Sequence, residues 1–584
     1  MKFLRNLAAA ILGTLIALFL LLLLFAGMGA AMSADKKVSL KDKSVLTLKL
    51  KASVKDYAPK STNPLDELLG ENDLKMALPK MINAIENAKT DDKIKGISIE
   101  ITSLDAGIAQ LQYLRDKLLD FKESGKFITA YSDVYSQKNY YLSSVADSLF
   151  VNPVGVLDFH GLRSERMYYK DFQDKYGVKM EVIRHGKYKS AMEGFLENKM
   201  SEANREQTES FLHSIWGELL ADIAESRHKS MDDLNAIADS LGTRNSKLAV
   251  ANGMADAALY LDEYNAILKK KVGIDTAKKL HKISLQDYIK TGKGRIKSSA
   301  SDKIAVLYAQ GQIMYGKGDE NYIGQEAINK ALRKIRKNKK IKAVVLRINS
   351  PGGSALASDL IWRELELLKK EKPLVVSMGN LAASGGYYIA CNADKIYAEP
   401  TTITGSIGVF GALPNFSVAA GRMGINAEQV ATNKGPSYSV FEPISEEFKD
   451  YIKKGIDDIY KTFVSHVAEG RKLTFEQVDA IAQGRVWTGK EALEKGLVDE
   501  LGNLDDAIAY AAGLANITDY KTTAYPRYKK DIKDAFKANP FMQSKEAMIK
   551  EEIGADNYQL YQEIKAFSKM SGAQMRMPFS LRIE

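Results

Sequence analysis

A serine set among small residues is the first candidate for chemistry in this chain. Ser384 lies in the run AASGGYY at 382–388, directly after a predicted strand. The following glycines allow the chain to turn into a helix. A substrate carbonyl can then reach the hydroxyl, and the next N–H can bind an oxyanion. A serine at a helix start can also be a structural N-cap. Ser384 is therefore a candidate nucleophile with a structural alternative.

A second glycine turn, SPGG at 350–353, also follows a predicted strand. Such a turn aims backbone N–H groups at an anionic oxygen, and it differs from the glycine patterns of nucleotide-binding loops. Turns at the ends of neighbouring parallel strands lie side by side at the carboxyl edge of the sheet. The pairing of the two turns therefore indicates a site better than either turn alone. A third motif, TGSIG at 404–408, is by itself an ordinary loop.

A serine nucleophile needs a base, and no histidine is an obvious one. His466 lies in a helix-like stretch far from the glycine turns, and the remaining five have no recognisable acid partner: His160, His185, His213, His228 and His281. A lysine can take the hydroxyl proton if burial lowers its pKa. The spacing alone does not say which lysine this is.

The elements that must position these groups follow an alternating pattern of strands and helices. In the second half, strands are predicted at 304–308, 343–348 and 374–377, and helices at 323–337 and 357–369. This alternation is typical of an α/β fold with a parallel sheet. The charged stretch 529–571 has a helical pattern.

An internal repeat divides the chain. At an offset of 247, residues 92–101 match 339–348, and 140–147 match 387–394. We therefore predict four parts: an N-terminal segment at 1–40, α/β halves at 41–300 and 301–520, and a helical tail at 521–584. At the position matching Ser384 of the second half, the first half has Gln137. At the positions matching Gly352 and Gly353, the first half has Asp105 and Ala106. The first half cannot host the same site, so its role must be structural, regulatory or complementary. A complementary role would be to supply the base.

The N-terminal segment predicts a membrane helix. The 26 residues from Leu7 to Met32 carry no charge, and a helix of that length exceeds the hydrocarbon core of about 30 Å. Lys2 and Arg5 precede it, which places the N-terminus in the cytoplasm and the rest of the chain across the membrane. A cleaved signal peptide is the alternative, but its apolar region is usually shorter.

Composition excludes several classes of protein. The chain has 584 residues, a net charge of +10, six histidines and one cysteine, and 45% of its residues are hydrophobic. These values exclude a disordered chain, an intrachain disulfide and a cysteine-cluster metal site, and they argue against a multi-histidine metal centre. The small, dispersed excess of positive charge argues against nucleic-acid binding.

Taken together, the motifs resemble the long form of the signal peptide peptidase A (protease IV) family, membrane-anchored serine proteases with a Ser/Lys dyad. The resemblance covers nearly the whole chain and rests on the three motifs above and on GKYKSA at 186–191. It implies that Ser384 is the nucleophile, that Lys189 rather than Lys187 is the general base, and that Ser406 orients the lysine amine. The position matching Lys189 in the second half is Pro436, which is consistent with one active site per chain.

The resemblance also implies an oxyanion hole made by the N–H groups of Gly353 and Gly385, with Gly352 as an alternative to Gly353. It implies a tandem ClpP/crotonase-like α/β fold with an N-terminal transmembrane helix, a homotetramer, and no metal or cofactor. The expected location is the bacterial inner membrane, anchored in lipid by the N-terminal helix, with the catalytic domain on the periplasmic side. The expected substrates are released signal peptides and other apolar peptides.

Three other functions remain open at this point. A crotonase-like acyl-CoA enzyme shares the Gly-Gly turns but needs neither an anchor nor a serine nucleophile. In a non-catalytic membrane scaffold, Ser384 is a helix cap and Lys189 a surface charge. A general envelope quality-control protease shares the chemistry and differs only in its substrates.

Overall fold

The computed structural model describes residues 2–32, 40–50, 53–59, 75–296, 298–528 and 573–577. A helix covers Lys2–Met32, and the side chains of its last eleven residues lie outside this description. Within the described residues, no helix is both long and apolar enough to cross a membrane. The membrane span therefore stays a prediction. The helix predicted at 529–571 also lies outside the described residues.

The first half is built on a six-stranded parallel sheet. Its strands, in spatial order, are Ala257–Ala258, Ser148–Leu157, Phe127–Tyr135, Ile94–Ile99, Ser44–Leu48 and Lys282–Ser284. The β-branched and aromatic residues of the central strands are buried on both faces, as expected for a parallel sheet covered by helices. The helices of this half are Leu78–Thr90, Ile108–Lys122, Gln137–Ser143, Lys170–Tyr176, Glu193–Leu196, Glu202–Arg227, Met231–Asp239, Ser246–Ala251, Leu261–Val272 and Leu285–Tyr288, followed by a π-turn at Ile289–Lys293.

The second half repeats this plan with an eight-stranded, mostly parallel sheet. Its main path runs Val486–Thr488, Ile403–Gly405, Leu374–Ala383, Ile341–Ser350, Lys303–Gln310 and Lys521–Tyr525, and Lys395–Ala398 and Glu500–Leu501 branch from it. The helices are Gln325–Lys337, Ala355–Lys369, Gly385–Tyr388, Ser417–Arg422, Glu446–Arg471, Phe475–Ile481, Gly489–Glu494 and Leu504–Leu514.

The strands and helices predicted for this half are confirmed, with shifted ends. The strand predicted at 374–377 continues to Ala383, so it reaches the candidate nucleophile. The helix predicted from 323 begins at Gln325, because Tyr322–Gly324 pairs as a strand with Gln312–Met314. The helix predicted from 357 begins at Ala355, because the Ser354 side chain accepts a hydrogen bond from the backbone N–H of Ala357 and caps the helix.

A third, mixed sheet combines strands from both halves. Its order is Tyr322–Gly324, Gln312–Met314, Gly352–Ser354, Gln574–Arg576, Val409–Asn415 and Lys179–His185. The last two strands, one from each half, pair antiparallel over seven residues. This pairing brings the GKYKSA segment, which follows directly, toward the second half. A short two-stranded sheet, Ser53–Lys55 with Lys75–Ala77, completes the strands.

A buried ion pair also docks the two halves. The guanidinium of Arg347, fully buried in the second half, lies 2.8 Å from Asp56 of the first half. The other carboxylate oxygen of Asp56 accepts hydrogen bonds from Asn349 and Gln110. Each charge is therefore surrounded by partners, as burial requires. This network lies beside the strand that ends at Ser350.

Candidate active site

Ser384 occupies a strained corner between a strand and a helix. Its backbone angles are φ 56° and ψ −114°, a region that residues other than glycine rarely adopt. Its N–H donates to the carbonyl of Gly405, which fixes the corner. The side chain makes no capping bond to the helix Gly385–Tyr388 that follows. The N-cap alternative for Ser384 is therefore wrong, and the hydroxyl is available for another partner.

That partner is the amine of Lys189. Its Nζ lies 2.8 Å from the Ser384 hydroxyl oxygen and 3.0 Å from both the hydroxyl and carbonyl oxygens of Ser406. All three side chains are buried, with Lys189 only 1% exposed. The structure thus brings together a serine and a lysine that are 195 positions apart in the sequence and belong to different halves.

The backbone around Lys189 turns sharply to place it. After the strand Lys179–His185, Gly186 adopts φ 113°, where a Cβ would lie 2.5 Å from the carbonyl oxygen of Gln483. The guanidinium of Arg184 donates to the carbonyl of Lys189. On this segment the Lys189 side chain reaches Ser384 and Ser406 of the second half.

Two glycines of the second half make room for the lysine stem. A Cβ at Gly484 would lie 2.7 Å from the Cβ of Lys189, and one at Gly408 would lie 3.2 Å from its Cδ. Any larger residue at Gly484 would displace the lysine. Gly484 was not singled out in the sequence, because a lone glycine between two polar residues carries no signal of its own. Gly408 lies in the TGSIG motif, whose contact with the lysine only the tertiary structure reveals.

Burial controls the charge of the amine. Burial removes the Lys189 amine from water and holds its pKa well below the ordinary lysine value, because desolvation disfavours the ammonium form. The neighbouring Lys187 is exposed, and its amine lies 5.2 Å from the ring centre of Tyr188. Of the two lysines in the motif, only Lys189 combines burial with contact to a serine.

The glycine turns meet beside Ser384, as predicted. A Cβ at Gly352 would lie 2.7 Å from the amide nitrogen of Gly385, and one at Gly385 would lie 3.2 Å from the amide nitrogen of Gly353. The N–H of Gly352 donates to the Ser350 hydroxyl. Because this N–H is already engaged, the geometry favours the pair Gly353 and Gly385 as oxyanion donors.

Two of the histidines, His466 and His185, contact groups other than Ser384. His466 stacks on Trp362 at 3.7 Å, and its Nε2 lies 3.6 Å from Asp359. His185 lies 2.6 Å from Asp457. Within the described residues, no group of three or more His, Cys, Asp or Glu side chains could hold a metal ion. In the described site, the groups available for chemistry are therefore one lysine, two serines and backbone N–H groups.

The family model of peptidase family S49 matches residues 120–275 and 366–518, one region in each half. The chain belongs to peptidase family S49. A second family model, Clp protease, matches residues 295–407, which include the Ser384 corner. The match agrees with the predicted ClpP-like α/β fold and with its duplication.

Relatives cover most of the chain. It is 35% identical over 509 residues to Protease 4 of Haemophilus influenzae, covering 85% of this chain and 83% of that protein. It is 37% identical to Protease 4 of Salmonella typhi, and the alignment covers 76% of this chain and 73% of that protein. It is 33% identical to the chloroplastic serine protease SPPA of Arabidopsis thaliana, and the alignment covers 81% of this chain and 69% of that protein. The chain is therefore a serine peptidase of the protease IV type.

Proposed function

We propose that this protein is a membrane-anchored serine endopeptidase that degrades released signal peptides through a Ser384/Lys189 dyad. The observation that carries the proposal is the 2.8 Å contact between the Lys189 amine and the Ser384 hydroxyl, in a buried site of a chain that belongs to a serine peptidase family. A crotonase-like enzyme or a passive scaffold has no use for a buried amine at this position.

In the proposed first step, the neutral amine of Lys189 takes the hydroxyl proton of Ser384 as the oxygen attacks the peptide carbonyl. A lysine with its ordinary pKa would be protonated near neutral pH and could not act as a base. The lowered pKa of Lys189 removes this obstacle. Ser406 orients the amine by accepting two of its hydrogen bonds.

In the proposed second step, the N–H groups of Gly353 and Gly385 bind the oxyanion, and Lys189 returns the proton to the leaving amine. The acyl group remains on Ser384 until a water molecule, activated by the same lysine, hydrolyses the ester. The strained backbone at Ser384 supports this assignment, because strain of this kind concentrates at functional sites.

The proposed substrates follow from the family resemblance and from the apolar segment Leu7–Met32. This segment would hold the enzyme in the bacterial inner membrane, with the catalytic residues on the periplasmic side, close to signal peptides left in the bilayer. A general quality-control protease would instead prefer unfolded soluble proteins.

The test compares two substrates in detergent: a peptide with an apolar core of about 12 residues and an unfolded soluble protein of mixed composition. We expect kcat/KM to be at least about tenfold higher for the apolar peptide, and expect Ser384→Ala to cleave neither substrate. A higher kcat/KM for the unfolded protein would reject signal peptide degradation as the proposed function and favour envelope quality control. Cleavage by the Ser384→Ala variant would contradict the assignment of Ser384 as the nucleophile.

A homo-oligomer, expected to be a tetramer, is also part of the proposal. Within a chain, Lys179–His185 of the first half pairs with Val409–Asn415 of the second. The repeat-related segments, 426–432 and 162–168, are not strands in the described structure, and Val430 is 99% exposed. A second copy could repeat the same pairing between chains, and head-to-tail repetition forms a ring when the rotation between copies closes.

The oligomer proposal is tested by light scattering on two matched variants. We expect Val430→Arg to reduce the assembly to smaller species, and Val154→Arg, at a position 85% exposed in the first half, to leave the mass unchanged. An unchanged mass in Val430→Arg would reject this interface.

A further inference from the structure

One buried glutamine of the first half hydrogen-bonds on both sides of the candidate base. Gln207 lies near the start of the helix Glu202–Arg227 and is fully buried. Its side-chain Nε2 lies 3.1 Å from the carbonyl oxygen of Tyr188 and 3.1 Å from the hydroxyl oxygen of Ser190. These two residues are the direct neighbours of Lys189 in the chain. Gln207 therefore contacts the backbone before the lysine and the side chain after it.

The other end of the same amide reaches the second half. Its Oε1 accepts a hydrogen bond from the backbone N–H of Val486 at 3.4 Å. The carbonyl of Tyr188 can only accept a hydrogen bond and the N–H of Val486 can only donate one, so these two contacts fix the orientation of the amide. The Gln207 side chain is thus a bridge between the lysine segment and the strand Val486–Thr488.

The strand at the far end of this bridge also positions Ser406. Val486–Thr488 pairs antiparallel with Ile403–Gly405, which leads directly into Ser406. The N–H of Ser406 donates to the carbonyl of Arg485 at 2.7 Å. The bridge therefore joins the lysine segment to the same stretch of backbone that holds the serine beside the lysine amine.

The peptide groups of Tyr188 are held from two directions. The N–H of Tyr188 donates to the carbonyl of Gln483 in the second half at 2.8 Å, and its carbonyl accepts from Gln207. Gly484, which makes room for the stem of Lys189, follows Gln483 directly. A shift of the backbone at the lysine would break both of these hydrogen bonds.

A second polar side chain of the same helix supports Ser190. Asn204 is also buried and precedes Gln207 by three positions, so the two side chains lie on one face of the helix. The hydroxyl of Ser190 donates to Oδ1 of Asn204 at 2.9 Å, and Nε2 of Gln207 lies 3.0 Å from the same oxygen. These three side chains are neutral. They hold the segment without adding a negative charge that would raise the pKa of Lys189.

From these contacts, we propose that Gln207 is a positioning residue for the general base, because it holds the residues on both sides of Lys189 and so keeps the amine beside Ser384 and Ser406. This inference rests on the peptidase mechanism proposed above. A lysine side chain is a flexible four-carbon stem, so the place of its amine depends on the backbone from which it extends. A displacement of about 1 Å at a catalytic group can lower a rate about 100-fold.

Loss of the bridge has two consequences for catalysis. The amine of Lys189 is less often in contact with Ser384, so kcat falls, while KM for the peptide changes little. A loosened segment also admits water to the amine. Since burial holds the pKa of Lys189 low, hydration raises that pKa toward the ordinary lysine value. Because the base must be neutral, the rise in the pH profile of kcat/KM then moves to higher pH.

The test is Gln207→Met in the full-length enzyme, because methionine is of similar length and removes the hydrogen bonds of the amide. We expect kcat for an apolar peptide to fall about 10- to 100-fold and KM to stay within about threefold. We expect the rise of kcat/KM with pH to move to higher pH. Steady-state kinetics over a range of pH measure all three quantities.

The matched control is Gln112→Met. Gln112 is another buried glutamine of the first half that accepts hydrogen bonds from the second half, in its case from the N–H and the hydroxyl of Thr401. We expect both variants to lower the thermal stability, and Gln112→Met to keep the kcat and the pH profile of the parent. If the two variants have the same kcat and the same pH profile, Gln207 only docks the halves, and the proposal is overturned.

Ser190→Ala keeps the proposal testable if Gln207→Met fails to fold. It removes one hydroxyl from the network, and we expect kcat to fall about three- to tenfold with the pH profile moving in the same direction. In the double variant, the loss of kcat should stay within about threefold of that in Gln207→Met alone, because both changes break one network. Losses that multiply would overturn the proposal. So would a Ser190→Ala enzyme with the kcat and pH profile of the parent.

The outcomes separate this inference from the proposed function. If the parent enzyme does not cleave the peptide, or if Lys189→Ala keeps the parent's activity, the failure lies in the proposed function. If the parent cleaves it, Lys189→Ala does not, and Gln207→Met behaves like Gln112→Met, the failure lies in this inference alone.

Discussion

The two halves of the molecule place the same strand–helix corner in different states. In the first half, Ser136 caps the helix Gln137–Ser143 with ordinary extended angles, and its side chain accepts from the N–H of Asn139. The side chain of Gln137 bonds to the backbone of His160 and Gly161. In the second half, Ser384 has a positive φ and no capping bond.

The two corners differ in backbone strain, which is present at Ser384 and absent at Ser136. In the first half, every polar group just named is satisfied by a structural hydrogen bond, so the corner has nothing left to offer a substrate. In the second half, the backbone strain at Ser384 leaves a hydroxyl free to face an amine from the other half. The two halves are similar frameworks, and in the proposed mechanism one carries the nucleophile and the other carries the base.

The largest effect is expected from a pair of substitutions at the two corners. Ser384→Ala should reduce kcat by about 10⁴-fold or more, because the nucleophile is lost. Gln137→Ala removes only structural hydrogen bonds, so its kcat should stay within about threefold while its stability falls by about 1–3 kcal/mol. Steady-state kinetics and thermal unfolding of both variants measure this contrast. A large loss of kcat in folded Gln137→Ala would show that the first corner also takes part.

A second contrast separates the two lysines of the GKYKSA motif, Lys187 and Lys189. Lys189→Ala should lower kcat by about 10³-fold or more, whereas Lys187→Ala, at an exposed position, should be near normal. Because the base must be neutral, kcat/KM of the parent enzyme should rise about tenfold per pH unit until Lys189 is deprotonated, and then level off. Burial lowers the pKa of Lys189, so this plateau should begin well below the pH at which a free lysine titrates. If Lys187→Ala lost more of its kcat than Lys189→Ala, the general base would be Lys187.

The contact that holds the halves together gives the third prediction. Asp56→Ala leaves Arg347 buried without its charge partner and should lower the free energy of unfolding by about 3–5 kcal/mol. The control is Asp302→Ala, which breaks a partly exposed pair with Lys342 and should cost under about 1 kcal/mol. Denaturant unfolding measures both. Equal values would mean that the buried pair does not stabilise the docking of the halves.

The smallest effect is expected at Ser406. Ser406→Ala removes one of the acceptors of the Lys189 amine but leaves the carbonyl of the same residue in place. We expect kcat to fall about 10- to 100-fold with little change in KM, and the rise in the pH profile to move to lower pH, since the lost acceptor stabilised the ammonium form. Ser406→Thr should recover part of the rate. A change in KM alone would assign Ser406 to substrate binding.

Much of the fold was readable from the sequence. The alternation of apolar strands and amphipathic helices predicted the α/β sheets, and the glycine turns after two strands predicted the meeting point beside Ser384. The ends of the elements were less accurate, because pairing decided them: Tyr322–Gly324 became a strand only through contact with Gln312–Met314. The catalytic roles of Ser384, Lys189 and Ser406 stay predictions until the variants above are measured.

The sequence by itself determined the repeat, the candidate serine and the absence of a well-placed histidine, because these depend on residue types and short spacings. Only the tertiary structure decided that the amine of Lys189 reaches Ser384 past Gly408 and Gly484, and that Met575 pairs with Gly353 of the SPGG turn. These contacts join residues 195 to 295 positions apart in the chain. Local patterns carry no information about such contacts, since they arise only when strands from both halves pair in one sheet.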